Sequence, residues 1–194
     1  MTGQSEAPEG GQGRRVTAAS KFLAYVLRHD PAAIGVTLDP GGWVAAGDLL
    51  AAAARHGRPL SAALLRQVLD APGKQRFEVR DGLVRAVQGH SVPVDLGLAP
   101  VAPPAALYHG TVGRFLPAIL ADGLQPGSRV HVHLSDDAGT AAAVAARRGR
   151  PVILRVDAAA MHQARHDFYR AANGVWLTAS VPPAFIAQPA ADGW

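Results

Sequence analysis

Arg28 and His29 are adjacent cations at the point where Asp30-Pro31 ends an apolar stripe of helical spacing formed by Phe22, Leu23, Tyr25, Val26 and Leu27. Such a pair can close a helix against its dipole, or it can hold an anion if further cations fold against it. Arg76 and Arg85, on a hairpin further along the chain, are the cations that could join it. A second group is Tyr108-His109-Gly110-Thr111, in which a strand end meets a glycine that lets backbone approach a ligand, followed by a hydroxyl. The third is Arg129-Val130-His131-Val132-His133-Leu134-Ser135. Strand alternation puts Arg129, His131, His133 and Ser135 on one face, a polar face that needs a reason. His-x-His suits zinc, but the chain has no cysteine and few carboxylates to complete a metal shell, and histidines held by backbone partners are the plain alternative.

Local patterns name the elements that must position these residues. Helices are expected over Ala18 to His29, from Asp48 as a cap to His56, and from Ser61 as a cap to Asp70. Gln75 to Arg80 and Leu83 to Val87 alternate about Asp81-Gly82, which reads as a two-residue hairpin turn. Three helices and a hairpin suggest a winged-helix lobe. Pro93, Pro100, Pro103 and Pro104 defeat helix and central strand alike and mark a boundary. Beyond it, strands are expected near 107–109, 130–134, 152–156 and 175–178, and helices near 115–121, 138–147 and 158–164. The alanine runs read as helix filler. The expected fold class is α+β, with a flexible tail over 1–15, a winged-helix lobe over 16–91, a Pro-rich linker over 92–106 and a second lobe over 107–194.

Composition narrows the functions. The chain has 194 residues, 48% hydrophobic and 18% charged, enough to bury a core in one domain or two small ones. No apolar run approaches the roughly 20 residues that cross a bilayer, and the first residues lack the apolar stretch of a leader, so a cytoplasmic protein with no membrane partner is expected. Zero cysteines exclude disulfides, thiolate metal sites and a cysteine nucleophile. Of 19 basic residues only Lys21 and Lys74 are lysines. Charge carried as planar guanidinium suits bidentate phosphate binding, and the net charge of +4 permits a nucleic-acid partner.

The segments LRHDP (27–31), GVTLD with GGW (35–43), KQRFEV (74–79), RAVQGHS (85–91), YHGT (108–111), RVHVHLS (129–135), RRGRPVILRVDA (147–158) and NGVWLT (173–178) together resemble the RNA 2′-phosphotransferases, the KptA/Tpt1 family, in the family's order. The resemblance spans roughly residues 17–187. It implies an enzyme that removes an internal RNA 2′-monophosphate with NAD⁺ as co-substrate and no metal. In step one the phosphate attacks the nicotinamide-bearing ribose carbon and nicotinamide leaves. In step two the ribose 2″-hydroxyl attacks phosphorus, releasing 2′-OH RNA and ADP-ribose 1″,2″-cyclic phosphate. It also implies a winged-helix lobe for RNA and an ADP-ribosyltransferase-like lobe for NAD⁺.

By that resemblance the catalytic set falls on Arg28, His29, Arg76 and Arg129, with Arg147 and Arg148 as competitors for the last place. The 2′-phosphate is expected against Arg28, His29, Arg76 and Arg85, and NAD⁺ against His109, Gly110, Thr111, His133, Ser135, Asn173, Gly174, Val175 and Trp176. Val175 takes the place of the catalytic glutamate of protein-modifying ADP-ribosyltransferases. The only glutamates are Glu6, Glu9 and Glu78, so the second lobe has none, which suits an acceptor that is already an anion. The expected partner is 2′-phosphorylated, tRNA-like RNA bound by a monomer. Two other readings use the same residues: an ADP-ribosyltransferase that caps terminal phosphates of nucleic acids, and a winged-helix nucleic-acid binder without catalysis.

Overall fold

A computed structural model describes residues 9–72 and 75–187. Gly73 and Lys74, the latter opening the KQRFEV segment, and residues 1–8 and 188–194 lie outside the described residues. The chain is α+β and divides into two compact units with the boundary between Leu96 and Gly97. No described helix is long and apolar enough to cross a membrane.

The first unit contains α1 (Glu9–Arg28), a 3₁₀ turn (Pro31–Ile34), β1 (Val44–Ala45), α2 (Ala46–Arg55), α3 (Ala62–Leu69), β2 (Phe77–Arg80) and β3 (Leu83–Ala86). Its sheet is antiparallel in the order β1-β3-β2. Leu23, Val26 and Leu27 of α1 are fully buried against Leu49, Ala53, Leu65, Val68, Phe77 and Val84. The hairpin turn has Asp81 at φ 51° and Gly82 at φ 76°, the doubly left-handed geometry that follows the twist of its strands. Ser61 caps α3 by accepting from Leu64 N at 3.1 Å.

Two local expectations are corrected. Residues 9–15, read as tail, form the start of α1, because extending a helix already fixed by the buried Leu23–Leu27 face costs far less than nucleating one. Asp48 does not cap α2; it lies in the first turn, while β1 leads straight into the helix and Ala46 N donates to Gly82 O at 2.9 Å. The first unit also reaches further than residue 91, since Asp95 N donates to Pro40 O at 2.9 Å.

The second unit contains β4 (Ala106–Val112), α4 (Leu116–Asp122), β5 (Val132–Leu134), α5 (Ala138–Ala145), β6 (Pro151–Asp157), α6 (Ala158–Gln163), β7 (Tyr169–Arg170), β8 (Trp176–Thr178) and β9 (Ile186–Ala187). Two antiparallel three-stranded sheets, β4-β6-β9 and β5-β8-β7, meet at a bridge in which Tyr108 and Ser135 exchange backbone hydrogen bonds of 2.8 Å. The core beneath them is Leu107, Leu134, Leu154, Val156, Met161 and Phe168. β5 is shorter than the expected 130–134, with Arg129 to His131 in the loop before it.

The alanines of α5 are more than filler. A Cβ at Gly110 would collide with the Ala141 carbonyl and crowd Ala145, so α5 lies directly on the β4 backbone, an approach that only small residues permit.

Candidate functional site

The first unit holds the Arg28 group and the second unit the other two. In the first, α1 ends at Arg28, and the chain after β3 returns to that end: Ser91 N and Val92 N both donate to Arg28 O, at 2.8 and 3.3 Å. Gly89 permits the return, with φ 91° and its α-carbon face against the Arg28 guanidinium. Arg28 Nη2 donates to the Arg76 carbonyl at 3.5 Å, which ties the hairpin base to the helix end, and Arg76 itself is exposed. Arg28, His29 and Arg76 are therefore neighbours.

Ser91 orients His29. Its Oγ lies 2.9 Å from His29 Nδ1 and 3.4 Å from Arg28 O. The hydroxyl, which can donate or accept, holds the ring through Nδ1.

Arg85 has a different duty from the one expected. Its Nε and Nη2 both donate to Glu78 Oε2 at 2.8 Å, Nη1 donates to Gly41 O at 3.1 Å and Leu96 O at 3.3 Å, and the guanidinium stacks 4.3 Å from the Trp43 ring. With four of its five N–H donors engaged in this bracing, Arg85 holds the 89–96 segment to the hairpin.

His90, 3% exposed, sits behind this group with Nε2 unpartnered among the described residues. Burial first, and then the charges of Arg28, Arg85 and His29, push its pKa down to about 4. The histidine is thus neutral in the fold and close to 6.5 when unfolded, so the unfolded chain binds more protons between those values. Stability is expected to be fully present above about pH 6.5 and to fall by on the order of 3 kcal/mol as the pH drops through about 4. Urea unfolding across that range should show the slope in the native chain and lose it in His90→Asn.

In the second unit a cavity of about 490 Å³ opens beside the seam of the two sheets. His109 on β4, with Thr111 two residues on, and His133 on β5 line it, and His109 Nδ1 donates to His133 O at 3.0 Å. Arg129 and Arg148 also line it, and Arg129 Nη1 reaches His133 Nδ1 at 3.4 Å. Burial holds the pKa of Arg129 below the usual guanidinium range, and Arg148 lowers it further, so two guanidiniums share one space and favour an anion. His109 is held below the ordinary imidazole range by burial, against the partly opposing His133 carbonyl, and His131 by burial alone. His131 meets the Tyr169 ring edge-on at 5.7 Å.

Arg147 is not among the cavity's lining residues, so of the three candidate arginines Arg129 and Arg148 face it. Gly110 acts from beneath, through α5. Ser135 and 173–176 are absent from the lining. Ser135 forms the bridge to Tyr108, Val175 N donates to Asn173 Oδ1 at 3.3 Å, Gly174 turns the chain at φ 80°, and Trp176 is buried under the Arg170 guanidinium at 5.5 Å. The segment 123–128, with its Gly123 and Gly127 turns, also forms a wall and was not anticipated.

The model of the RNA 2′-phosphotransferase, Tpt1/KptA family matches residues 14–180, which include both clusters. The chain is 54% identical over 182 residues to a probable RNA 2′-phosphotransferase of Streptomyces griseus, covering 89% of this chain and 96% of that protein. It is 52% identical over 179 residues to one of Streptomyces coelicolor, covering 92% and 98%, and 54% identical over 172 residues to one of Pseudomonas aeruginosa, covering 87% and 94%. With this coverage of both chains, and with all the segments that carried the resemblance beginning inside the matched range, the chain belongs to the RNA 2′-phosphotransferase family.

Proposed function

We propose that the protein transfers the 2′-phosphate of an RNA to NAD⁺, with the first unit acting as a winged-helix RNA lobe and the second as an ADP-ribosyltransferase-like NAD⁺ lobe. The observation that carries this reading is the cavity beside His109 and His133, where Arg129 and Arg148 meet and no glutamate is present. Its volume, its two guanidiniums and its apolar wall of Phe115, Ile119 and Leu124 suit a dinucleotide with a charged pyrophosphate. A site without a glutamate base is adequate because a phosphate oxygen attacks as an anion.

In this reading Arg28, His29 and Arg76 hold the RNA 2′-phosphate, Ser91 sets the His29 ring, and Arg129 with Arg148 meets phosphate charge in the second unit. In step one a phosphate oxygen forms a bond to the ribose carbon while the bond to nicotinamide breaks with its electrons. In step two the ribose 2″-oxygen forms a bond to phosphorus and loses its proton, and the RNA 2′-oxygen leaves and takes one up.

Incubating 2′-phosphorylated RNA with NAD⁺ and resolving the products tests the reaction. Nicotinamide, 2′-OH RNA and ADP-ribose 1″,2″-cyclic phosphate are expected. A stable ADP-ribosylated end would establish the capping reaction instead, and no nicotinamide at all would leave a binding protein. Arg129→Ala and Arg148→Ala should each raise the KM for NAD⁺ by roughly ten-fold or more, the worth of a lost charge-assisted hydrogen bond of about 1.5 to 3 kcal/mol. A chelator should leave turnover intact, and restoration of a chelated enzyme by added metal would refute guanidinium charge compensation.

A further inference from the structure

Helix α1 runs twenty residues into the Arg28-His29 site, and between Gly10 and Arg28 it contains no acid. Arg14, Lys21 and Arg28 recur every seven residues, which is close to two full turns, so they form one stripe with steps of about 10.5 Å. Arg14, Thr17, Ala18, Lys21 and Tyr25 along this stripe are exposed, while Ala19, Leu23, Val26 and Leu27 on the other side are buried. A merely solvated helix face usually pairs opposite charges three or four residues apart, and none of these cations has an acid at that spacing on α1.

Tyr25 sets this face apart from an ordinary basic one. It is 49% exposed, its hydroxyl donates to Asp30 Oδ2 at 3.0 Å, and its ring centre lies 6.3 Å from that of His29. An aromatic ring left in water, pinned at its far end and placed one turn before the proposed phosphate ligand, has the form of a stacking platform for a base.

We infer that the RNA strand carrying the 2′-phosphate lies along this face of α1, with backbone phosphates on Lys21 and Arg14 and one base stacked on Tyr25. The inference rests on the proposed role of Arg28 and His29 as phosphate ligands. Single-stranded RNA fits better than an acidic protein surface because the stripe combines evenly spaced cations with one exposed flat aromatic face on which a base can stack.

The test uses the full chain with two 2′-phosphorylated RNAs, a dinucleotide and a decanucleotide with the phosphate at its centre. In R14E/K21E the loss in kcat/KM on the decanucleotide should exceed the loss on the dinucleotide by about ten-fold or more, and the salt slope of decanucleotide binding should flatten by roughly 1.4, two phosphate contacts on a single strand. Tyr25→Ala should weaken decanucleotide binding by roughly five-fold to 150-fold, while Tyr25→Phe, which keeps the ring, stays near the native value. Anisotropy of a labelled decanucleotide reads the binding without turnover, and an unchanged thermal midpoint excludes unfolding. Equal losses on both RNAs, an unchanged salt slope, or a Tyr25→Phe variant as weak as Tyr25→Ala would overturn the inference. Failure of the native enzyme to convert either RNA would strike the proposed function alone, since the anisotropy results decide the binding face independently.

Discussion

His29→Ala and Arg76→Ala are expected to accumulate RNA bearing 2′-phospho-ADP-ribose, because each slows the second step more than the first. In the proposed step one the phosphate is the nucleophile and positive charge grows on the ribose of NAD⁺, so cations on the phosphate would orient it but also mute the charge with which it attacks. Their net help there is small. In the proposed step two charge spreads over the equatorial oxygens of the same phosphorus, where the guanidinium of Arg76 would stabilise what forms. The RNA 2′-oxygen must also leave with a proton. In the proposed reaction His29, held through Nδ1 by Ser91 at 2.9 Å, is the proton donor. General acid catalysis typically contributes about 10² to 10⁴ in rate, so a loss of that size is expected in step two for His29→Ala. A time course of nicotinamide and cyclic phosphate measures both steps. If the two products fall in equal proportion with no intermediate, this division of labour is wrong.

What the sequence made legible was local. The end of α1 at Arg28, the Ser61 cap and the Asp81-Gly82 turn each rest on signals within a few residues, and the structure has each of them. The two-residue strands β1, β7 and β9 have no periodicity of their own and exist because β3, β8 and β6 offer them open edges. The upstream reach of α1 was hidden because it depends on tertiary packing, which along α1 begins at Val16 and Ala19.

The site divides in the same way. His109, Thr111, Arg129 and His133 could be named from residue type and alternation, and they do line one cavity. The full duty of Arg85 could not be read, because Gly41 and Leu96, which take two of its donors, lie 44 and 11 residues away. Nor could the choice of Arg148 over Arg147, since the 3₁₀ turn over Ala146–Arg148 that ends α5 carries both. The small residues of α5 were read as filler because what they face, Gly110, is on another strand.

Gly110→Ala is accordingly expected to be far more damaging than its single methyl suggests. Gly110 does not need glycine for its dihedral angles; the added Cβ would meet the Ala141 carbonyl and press on the Ala145 methyl. Backbone cannot rotate aside as a side chain can, so α5 must lift off β4, giving up the packing of Ala141 and Ala145, both 2% exposed. Overpacking of this kind typically costs about 1 to 3 kcal/mol and more where backbone must move, a large part of the roughly 5 to 15 kcal/mol that holds a domain together. Function should suffer with stability, because Gly110 lies between His109 and Thr111, and lifting α5 shifts the strand that aims both into the cavity. Gly82→Ala is the control: its φ of 76° strains an alanine, but nothing lies within 4 Å of the new methyl, so only about 1 kcal/mol is expected and NAD⁺ binding should persist. Urea midpoints and NAD⁺ titration of the two variants give the comparison. If Gly110→Ala unfolds at the native urea concentration and binds NAD⁺ normally, the close packing of α5 on β4 does not hold the site in place.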